Sequence, residues 1–260
     1  MIASLPMYER PETAAANDRF WQAIRRNLCA GETPPPRALP QALSRGGDLW
    51  RQWLSPDLLL SQTCGFPYRA RLHGKVALVG TPILGLPGLP PGYYCSVMLT
   101  RRADARTGLA DFAEAVLAYN EPMSQSGWAA PQTEAERLGF AFTRTLQTGS
   151  HRASALAVAD GRADIAAIDA LTWKMIRRWD SCATSLSVIG ETAPTPTLPY
   201  ISARGADTGA LLNAIGAALD GLDPGDRDIL GLTGITFLGA DRYLGIPTPP
   251  APAAKSIDAP

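Results

Sequence analysis

Residues 149–173 read GSHRASALAVADGRADIAAIDALTW, and the order of patterns in this stretch decides the class of fold. Small and apolar residues over 152–159 predict a helix, and DGRA at 160–163 predicts a turn. The apolar run DIAAID at 164–169 predicts a strand, and ALTWKMIRRW after it predicts a second helix. Helix, strand and helix in such close succession indicate an α/β protein.

The same alternation continues along the rest of the chain. Strands are predicted at the N-terminus (MIASLPMY), over 75–84 (KVALVGTPIL), over 93–102 (YYCSVMLTRR), over 142–151 (FTRTLQTGSH) and, broken by prolines, over 183–203. Helices are predicted over 11–31, over 108–122 and over 206–222. A short helix is predicted within LWRQWLSPDLLLSQTCGFPY (49–68), in which Ser55-Pro56 is expected to start a helix. Because most of the strands are apolar on both faces, the sheets are expected to be mostly parallel.

The helical segments differ in the faces that they predict. In the helix over 11–31, Phe20, Ile24 and Leu28 fall four residues apart, and Trp21 extends their face. In the segment over 108–122, Leu109, Phe112, Val116 and Leu117 mark the apolar face. Two proline-rich stretches are not expected to form regular structure: TPPPRALP (33–40) is a connector, and PTPPAPAAKSIDAP (247–260) is a loose tail.

Composition excludes several classes of protein. The chain has 260 residues, which is enough for one large or two medium domains. Lys+Arg and Asp+Glu are balanced at 24 each, so no basic surface for nucleic acid is indicated. No window approaches the roughly 18 consecutive apolar residues of a membrane span. The N-terminus lacks the pattern of a signal peptide, which favours a cytoplasmic location unless a leader precedes this sequence.

The chain also lacks the common motifs of cofactor and metal binding. Its four cysteines, at 29, 64, 95 and 182, form no C-x-x-C pair, and its two histidines stand far from them in the sequence. A zinc site is therefore not predicted, and we expect no metal and no cofactor. There is no dinucleotide-binding glycine motif, no P-loop and no G-x-S-x-G motif.

Neutral polar residues recur where the apolar strands end. These clusters are Pro6-Met7-Tyr8, Ser61-Gln62-Thr63, Tyr93-Tyr94, Ser124-Gln125-Ser126-Gly127, Gly149-Ser150-His151 and Asp169. Ligands of open α/β sheets bind outside the carboxyl ends of strands. Neutral donors and helix N-termini can bind an oxyanion without a cationic side chain. If the clusters converge, they predict such a site, with Asp169 available to accept a proton from the ligand or to pair with a ligand cation.

Each cluster also has a purely structural interpretation. Ser124 and Ser126 are suited to capping a helix, and so is Ser150 ahead of an exposed His151. Asp169 is suited to the same role ahead of ALTWKMI. Tyr93 and Tyr94 fit an ordinary strand. The sequence leaves these alternatives open, and the functional interpretation depends on the clusters acting together.

Three stretches together carry a family resemblance: NEPMSQSGWAAP (120–131), GSHRASALAVADGRADIAAIDALTW (149–173) and TPTLPYISA (195–203). They resemble the phosphate/phosphonate-type substrate-binding proteins of ABC transporters, which have the class II periplasmic binding protein fold. The resemblance implies two α/β lobes with a ligand cleft between them. Lobe one would comprise residues 1–98 and 190–260, with 246–260 as the loose tail, and lobe two residues 99–189.

The resemblance also implies a set of binding residues. The family's oxyanion loop matches Ser124, Gln125, Ser126 and Gly127, and its second helix start matches Ser150 and His151. Three positions of lobe one match Tyr8, Thr63 and Tyr94, and an acidic position matches Asp169. Gln125 departs from the Thr that the family often has there, so the resemblance does not define the ligand.

The implied function is binding of a small oxyanion, such as phosphate or a phosphonate, without chemistry. The implied partners are this ligand and an ABC permease or a sensor protein, and family members usually work in the periplasm. Two alternatives stay open. One is an enzyme on the same fold that uses His151 and Asp169 on a small organic acid. The other is a binder of a ring-containing vitamin precursor, with Tyr8, Tyr94, Trp128 or Trp173 stacking on the ring.

Overall fold

The computed structural model of the chain describes residues 1–31 and 38–252. Among these residues the strands, in chain order, are β1 (Ile2–Ala3), β2 (Leu58–Gln62), β3 (Val76–Leu84), β4 (Tyr93–Tyr94), β5 (Ser96–Arg101), β6 (Leu117–Tyr119), β7 (Thr145–Gln147), β8 (Ile165–Asp169), β9 (Leu186–Glu191), β10 (Thr195–Pro196), β11 (Tyr200–Ala203) and β12 (Leu232–Thr236).

The α-helices are α1 (Pro11–Ala30), α2 (Leu49–Trp53), α3 (Gly65–Pro67), α4 (Ala130–Arg137), α5 (His151–Ala159), α6 (Ala170–Trp179), α7 (Thr208–Asp220), α8 (Pro224–Leu230) and α9 (Ala240–Leu244). π-Helical turns occur at Tyr68–Leu72 and Gln125–Ala129, and 3₁₀ turns at Leu109–Phe112 and Ser181–Ser185. No helix in the described parts of the chain is both long and apolar enough to cross a bilayer.

The chain forms two compact units. The first unit comprises Met1–Tyr93 and Pro196–Gly245, and the second comprises Tyr94–Thr195 and Ile246–Pro260. The lobes were predicted to divide at 98/99 and 189/190, whereas the two units divide at 93/94 and 195/196. The difference arises because β5 and β9 pair with each other inside the second unit. The short strands β4 and β10, where the chain crosses between the units, form a two-stranded sheet.

A five-stranded sheet with the order β1-β2-β11-β3-β12 forms the centre of the first unit. Its pair β1–β2 is parallel, whereas β11 runs antiparallel to both β2 and β3, and β12 runs antiparallel to β3. Helix α1 packs on α7 and α8, and α7 packs on β3 and β12. As predicted for α1, Phe20, Trp21 and Ile24 are fully buried.

The second unit has its own five-stranded sheet, with the order β7-β6-β8-β5-β9. Strand β6 is parallel to β7 and β8, but β5 is antiparallel to β8 and β9. Both sheets are therefore mixed, and the prediction of mostly parallel sheets was wrong in this respect. Burial on both faces by helices makes a strand apolar whichever way its neighbours run, so the pattern could not report direction.

Two helix predictions were wrong. Within 108–122, Leu117, Ala118 and Tyr119 form the buried strand β6 between β7 and β8, preceded only by a 3₁₀ turn. Pairing with two neighbours outweighed the local helical spacing. Ser55-Pro56 begins no helix, because the apolar residues after it form β2, which lies between β1 and β11 in the sheet of the first unit.

The C-terminal segment is not loose where the structure describes it. The indole Nε1 of Trp128 donates a hydrogen bond to the backbone oxygen of Pro250 at 3.0 Å. This contact places residues 246–252 with the second unit, which corrects their assignment to a loose tail of lobe one. The rest of the predicted tail, 253–260, lies outside the described residues, as does most of the connector predicted over 33–40.

Candidate functional site

Residues 124–127, which we call the serine loop, begin the helical segment that follows β6. Ser124 is the N-cap residue, and its Oγ accepts a hydrogen bond from the Gly127 amide at 2.9 Å. The Ser124 carbonyl accepts from the amides of Trp128 and Ala129, at 3.2 and 3.0 Å, which makes the first turn a π-turn. The turn continues directly into α4. The capping role that the sequence suggested for Ser124 is confirmed.

Gly127 is required by the close approach of Asn120. A Cβ atom built on Gly127 would lie far inside contact distance of Asn120 Oδ1, and 3.1 Å from Asn120 Cγ. Asn120 Oδ1 is buried and has no hydrogen-bond partner among the described residues. The sequence analysis did not select Asn120, although it opens the quoted stretch NEPMSQSGWAAP.

Ser126 connects the serine loop to the start of α5. Its Oγ lies 2.8 Å from His151 Nε2 and 3.5 Å from Ser124 Oγ. Its backbone oxygen accepts from Ser96 Oγ at 3.0 Å, and Ser126 is only 4% exposed. The structure therefore brings together the predicted residues Ser124, Ser126 and His151. It adds Ser96, which sequence reasoning could not find because its contact depends on the position of β5 in the sheet.

His151 is neutral at pH 7. Burial lowers the pKa of its imidazole to about 4, and the nearby Ala167 backbone opposes this shift only in part. Its Nδ1 atom is buried and makes no hydrogen bond of ordinary geometry to the described residues. A neutral imidazole has one donor and one acceptor nitrogen, so His151 can either donate to Ser126 Oγ or accept from it.

Ser150 and Asp169 both cap helices. Ser150 is exposed, and its Oγ accepts from the Ala153 amide at 3.1 Å. Asp169 is only 2% exposed, and its Oδ1 accepts from the Thr172 amide at 2.8 Å. The antiparallel register sets Asp169 opposite Ser96, the residue that also bonds the Ser126 carbonyl. Asp169 thus lies beside the residue of β5 that contacts the serine loop.

Tyr8 and Thr63 belong to the first unit, and Tyr94 is the first residue of the second. Tyr8 is half-buried and lines a small cavity of about 20 Å³ with Asn17 and Gln62. Thr63 is fully buried, and its Oγ1 has no hydrogen-bond partner among the described residues. Tyr94 is 1% exposed and lies in the short strand β4. These three positions are described unit by unit, so their part in one site remains a prediction.

The serine loop is built from neutral groups. None of the hydrogen bonds described for Ser124, Ser126 and His151 involves a lysine or arginine side chain. Arg152, which follows His151, is held by Asp180 at 2.5 Å. Of the ring-stacking candidates in the second unit, Trp128 and Trp173 are only 3% and 7% exposed. Trp128 packs on Tyr119, and Trp173 lies in the hydrophobic core.

Two units, each with a mixed sheet covered by helices, define the class: the chain has the fold of the periplasmic binding proteins. Residues 70–240 match the family model described as the phosphonate periplasmic substrate-binding protein of ABC transporters. Because this match covers more than half of the chain, the chain belongs to that family. The family resemblance predicted from the sequence, and the α/β fold class with it, are confirmed. The family is one of periplasmic binding proteins rather than enzymes.

Solved structures agree on the fold. The binding protein of an ABC phosphonate transporter from Pseudomonas aeruginosa is 17% identical, with a TM-score of 0.69 over 95% of this chain and 83% of that one. PhnD1 from Prochlorococcus marinus, solved with methylphosphonate, is 13% identical, with a TM-score of 0.67 over 94% of each chain. A histidine kinase sensor domain is 16% identical, with a TM-score of 0.54 over 90% of this chain and 97% of that one. A search of curated proteins found no match.

Proposed function

We propose that the chain binds a small phosphorus oxyanion, a phosphonate or phosphate, at the serine loop and releases it unchanged. The observation that carries this proposal is the contact of Ser126 Oγ with a neutral His151 at 2.8 Å, at the start of a helical segment. Membership of the phosphonate-binding family supports the ligand class, and so does the methylphosphonate complex of PhnD1.

If Ser126 contacts the anion, its hydrogen bonds define which partner it donates to and which it accepts from. To donate its O–H to an anion, Ser126 must accept a hydrogen bond elsewhere, and His151 Nε2 is in place to donate it. With the anion bound, His151 would then carry its proton on Nε2, whereas the contact with the Ala167 backbone, which raises the pKa of the imidazole, favours a proton on Nδ1 when the site is empty. The positive end of the helical segment adds to the attraction for an anion.

Asp169 gives the proposed site a preference among anions. Its buried carboxylate can accept a hydrogen bond from a singly protonated phosphonate or phosphate, whereas sulfate at neutral pH has no proton to donate. A carboxylate beside a fully ionised anion is also repulsive. We therefore expect methylphosphonate and phosphate to bind more tightly than sulfate.

Calorimetric titration of the purified chain with methylphosphonate, phosphate and sulfate tests the proposal. Ser126→Ala is expected to weaken methylphosphonate binding about tenfold or more, because a hydrogen bond to a charged group contributes roughly 1.5–3 kcal/mol. Ser187→Ala on β9 is the matched control, a serine of the same unit outside the loop. Equal affinities of the two variants, or no binding of any oxyanion by the parent chain, would refute the assignment.

The absence of catalysis is part of the proposal. Asp169 caps α6 and His151 contacts Ser126, so both side chains already have the positioning roles that a binding loop needs. Phosphorus NMR of methylphosphonate incubated with the protein is expected to show one unchanged resonance. A new phosphorus signal that is lost in His151→Gln would instead support the enzyme alternative.

An ABC permease is the partner that family membership suggests, and a sensor protein is the second candidate. The likeness to a histidine kinase sensor domain concerns the fold and favours neither. Co-purification of the ligand-loaded chain with detergent-solubilised permease, compared with the ligand-free chain, separates the two. Ligand-dependent capture by a permease supports uptake, and capture only by a kinase supports sensing.

A further inference from the structure

The second unit contains an aromatic groove bordered by a proline-rich segment. The groove has a volume of about 370 Å³ and is lined by Trp128, Phe140 and Phe142 together with Pro249 and Pro250. The two phenylalanine rings meet edge to face, with centroids 5.2 Å apart. Pro249, Pro250 and Ala251 line one part of this groove, and we call the segment that contains them, residues 247–252 (PTPPAP), the proline strap.

The contact between groove and strap has the chemistry by which proline-rich segments are recognised. Trp128 Nε1 donates to the Pro250 carbonyl at 3.0 Å. Four prolines in six residues favour a polyproline II conformation, in which carbonyls have no internal partners and prolines pack on aromatic rings. Gln132, which also lines the groove, fixes Phe142, because its amide donates to the Phe142 carbonyl at 2.8 Å and accepts from the Phe142 amide at 3.0 Å.

Trp128 also belongs to the helical turn of the serine loop. It lies in the π-turn Gln125–Ala129, and its amide bonds the Ser124 carbonyl. Its ring packs on the ring of Tyr119, the last residue of β6, with the ring centroids 5.0 Å apart. One side chain therefore contacts the strap with its indole nitrogen while its backbone helps to form the turn that begins at Ser124.

We propose that the strap is a regulatory element of the second unit: when it lies along the groove and accepts the hydrogen bond of Trp128, it holds Trp128 and with it the serine loop in the binding geometry. The occupant is the chain's own segment 247–252. The effect of the strap on anion affinity rests on the proposed function. The structural coupling of the strap to the serine loop does not.

The test uses the full chain with Pro249→Gly and Pro250→Gly together, which removes the polyproline preference and keeps both carbonyls. In nitrogen-15 spectra of the tryptophan-labelled protein, the Trp128 indole signal, assigned by its loss in Trp128→Phe, is expected to shift. Methylphosphonate affinity is expected to fall at least fivefold, the lower end of couplings between sites. A synthetic peptide of residues 246–252 is expected to reverse both changes, and the same peptide with the two glycines is not.

Two controls separate the strap from general damage. Trp128→Phe keeps a ring but loses the donor, so it is expected to weaken affinity without rescue by the peptide. Trp179→Phe, at the end of α6 and outside the groove, is expected to bind like the parent chain. Unchanged affinity in the double glycine variant, or an indole shift with affinity within twofold, overturns the proposal.

If the parent chain binds no methylphosphonate, the proposed function fails, and the coupling is then read from the imidazole of His151. The chain has one other histidine, His73, which lies in the first unit and serves as the internal reference. A His151 shift in the double glycine variant, reversed by the peptide, supports the coupling, and its absence overturns it. Light scattering is expected to show a monomer, and a dimer that disappears in the double glycine variant would mean that the strap of a second copy occupies the groove.

Discussion

Gly127→Ala tests whether close packing against Asn120 shapes the serine loop. The new methyl group would overlap Asn120 Oδ1 and lie 3.1 Å from Asn120 Cγ and 3.2 Å from Ser124 Oγ. Rotation of the amide group can move Oδ1 away, but Cγ is also closer than ordinary contact, so Asn120 Cγ must shift by a few tenths of an ångström as well. Overpacking of this kind costs about 1–3 kcal/mol.

The backbone change acts in the opposite direction but is smaller. Alanine is favoured over glycine in a helix by about 0.5–1 kcal/mol. The expected net loss in the free energy of unfolding is therefore about 1–2 kcal/mol, measured by urea denaturation. Because the displaced Ser124 belongs to the serine loop and Asn120 packs on it, methylphosphonate affinity is expected to fall at the same time.

A second substitution distinguishes this explanation from unspecific damage. Asn120→Ala removes the obstacle, so the double variant is expected to regain most of the stability lost in Gly127→Ala, which is a coupling between neighbours. Gly216→Ala in α7 is the matched control, because its methyl group would lie 3.7 Å from Ile235 Cγ2 in ordinary contact. It is expected to stabilise the chain slightly. Gly127→Ala as stable as the parent, or no recovery in the double variant, would refute the reasoning.

Three further predictions concern stability. The pKa of His151 falls from 6.5 to about 4 on folding. Between these pH values the unfolded chain therefore binds more protons than the folded chain. The contribution of His151 to the free energy of unfolding is expected to drop by about 2–3 kcal/mol as the pH falls from 6.5 to 4, and to be constant above pH 6.5. His151→Gln should flatten this slope in urea titrations, and His73→Gln should keep it. Arg19→Met leaves the carboxylate of Asp226, which is 5% exposed, without the two hydrogen bonds of 2.6 Å from Arg19. Urea denaturation is expected to show a small loss of stability that Asp226→Asn partly restores. Tyr243→Phe removes a buried hydroxyl that donates to the Thr197 carbonyl at 2.9 Å and lies 2.7 Å from Thr81 Oγ1. Thermal unfolding should show a loss of about 1–2 kcal/mol, and no loss would mean that the two bonds together contribute nothing net.

The sequence predicted those parts of the fold whose signals are local. The helices α1, α5, α6 and α7 and the strand β8 lie where spacing and turn residues placed them. The strand β6 was missed because it has three residues, too few to show a period of two, and because its partners β7 and β8 are distant in the chain. Strand direction was missed for a similar reason. Strands β5 and β11 are antiparallel to their neighbours, and this depends on where the chain crosses between the units.

The candidate site divides in the same way. The capping roles of Ser124, Ser150 and Asp169 follow from residue type and the helix that comes next, and the structure shows all three. The contact of Ser126 with His151 joins two helix starts 25 residues apart, and no local pattern specifies its 2.8 Å distance. Asn120 gave no signal at all, since its effect is steric and falls on a glycine.

The use of neutral donors has a consequence for how the proposed ligand is recognised. A cationic side chain attracts every anion over about 8–10 Å, whereas hydroxyl, imidazole and amide donors act only at contact and only in the right directions. The pKa of His151, near 4, keeps the imidazole in this neutral class over the whole physiological range. A loop of this kind discriminates by the position of hydrogen-bond donors and acceptors rather than by net charge. Its geometry must then be held firmly, which is the role that the packing of Asn120 on Gly127 and of the strap on Trp128 would serve.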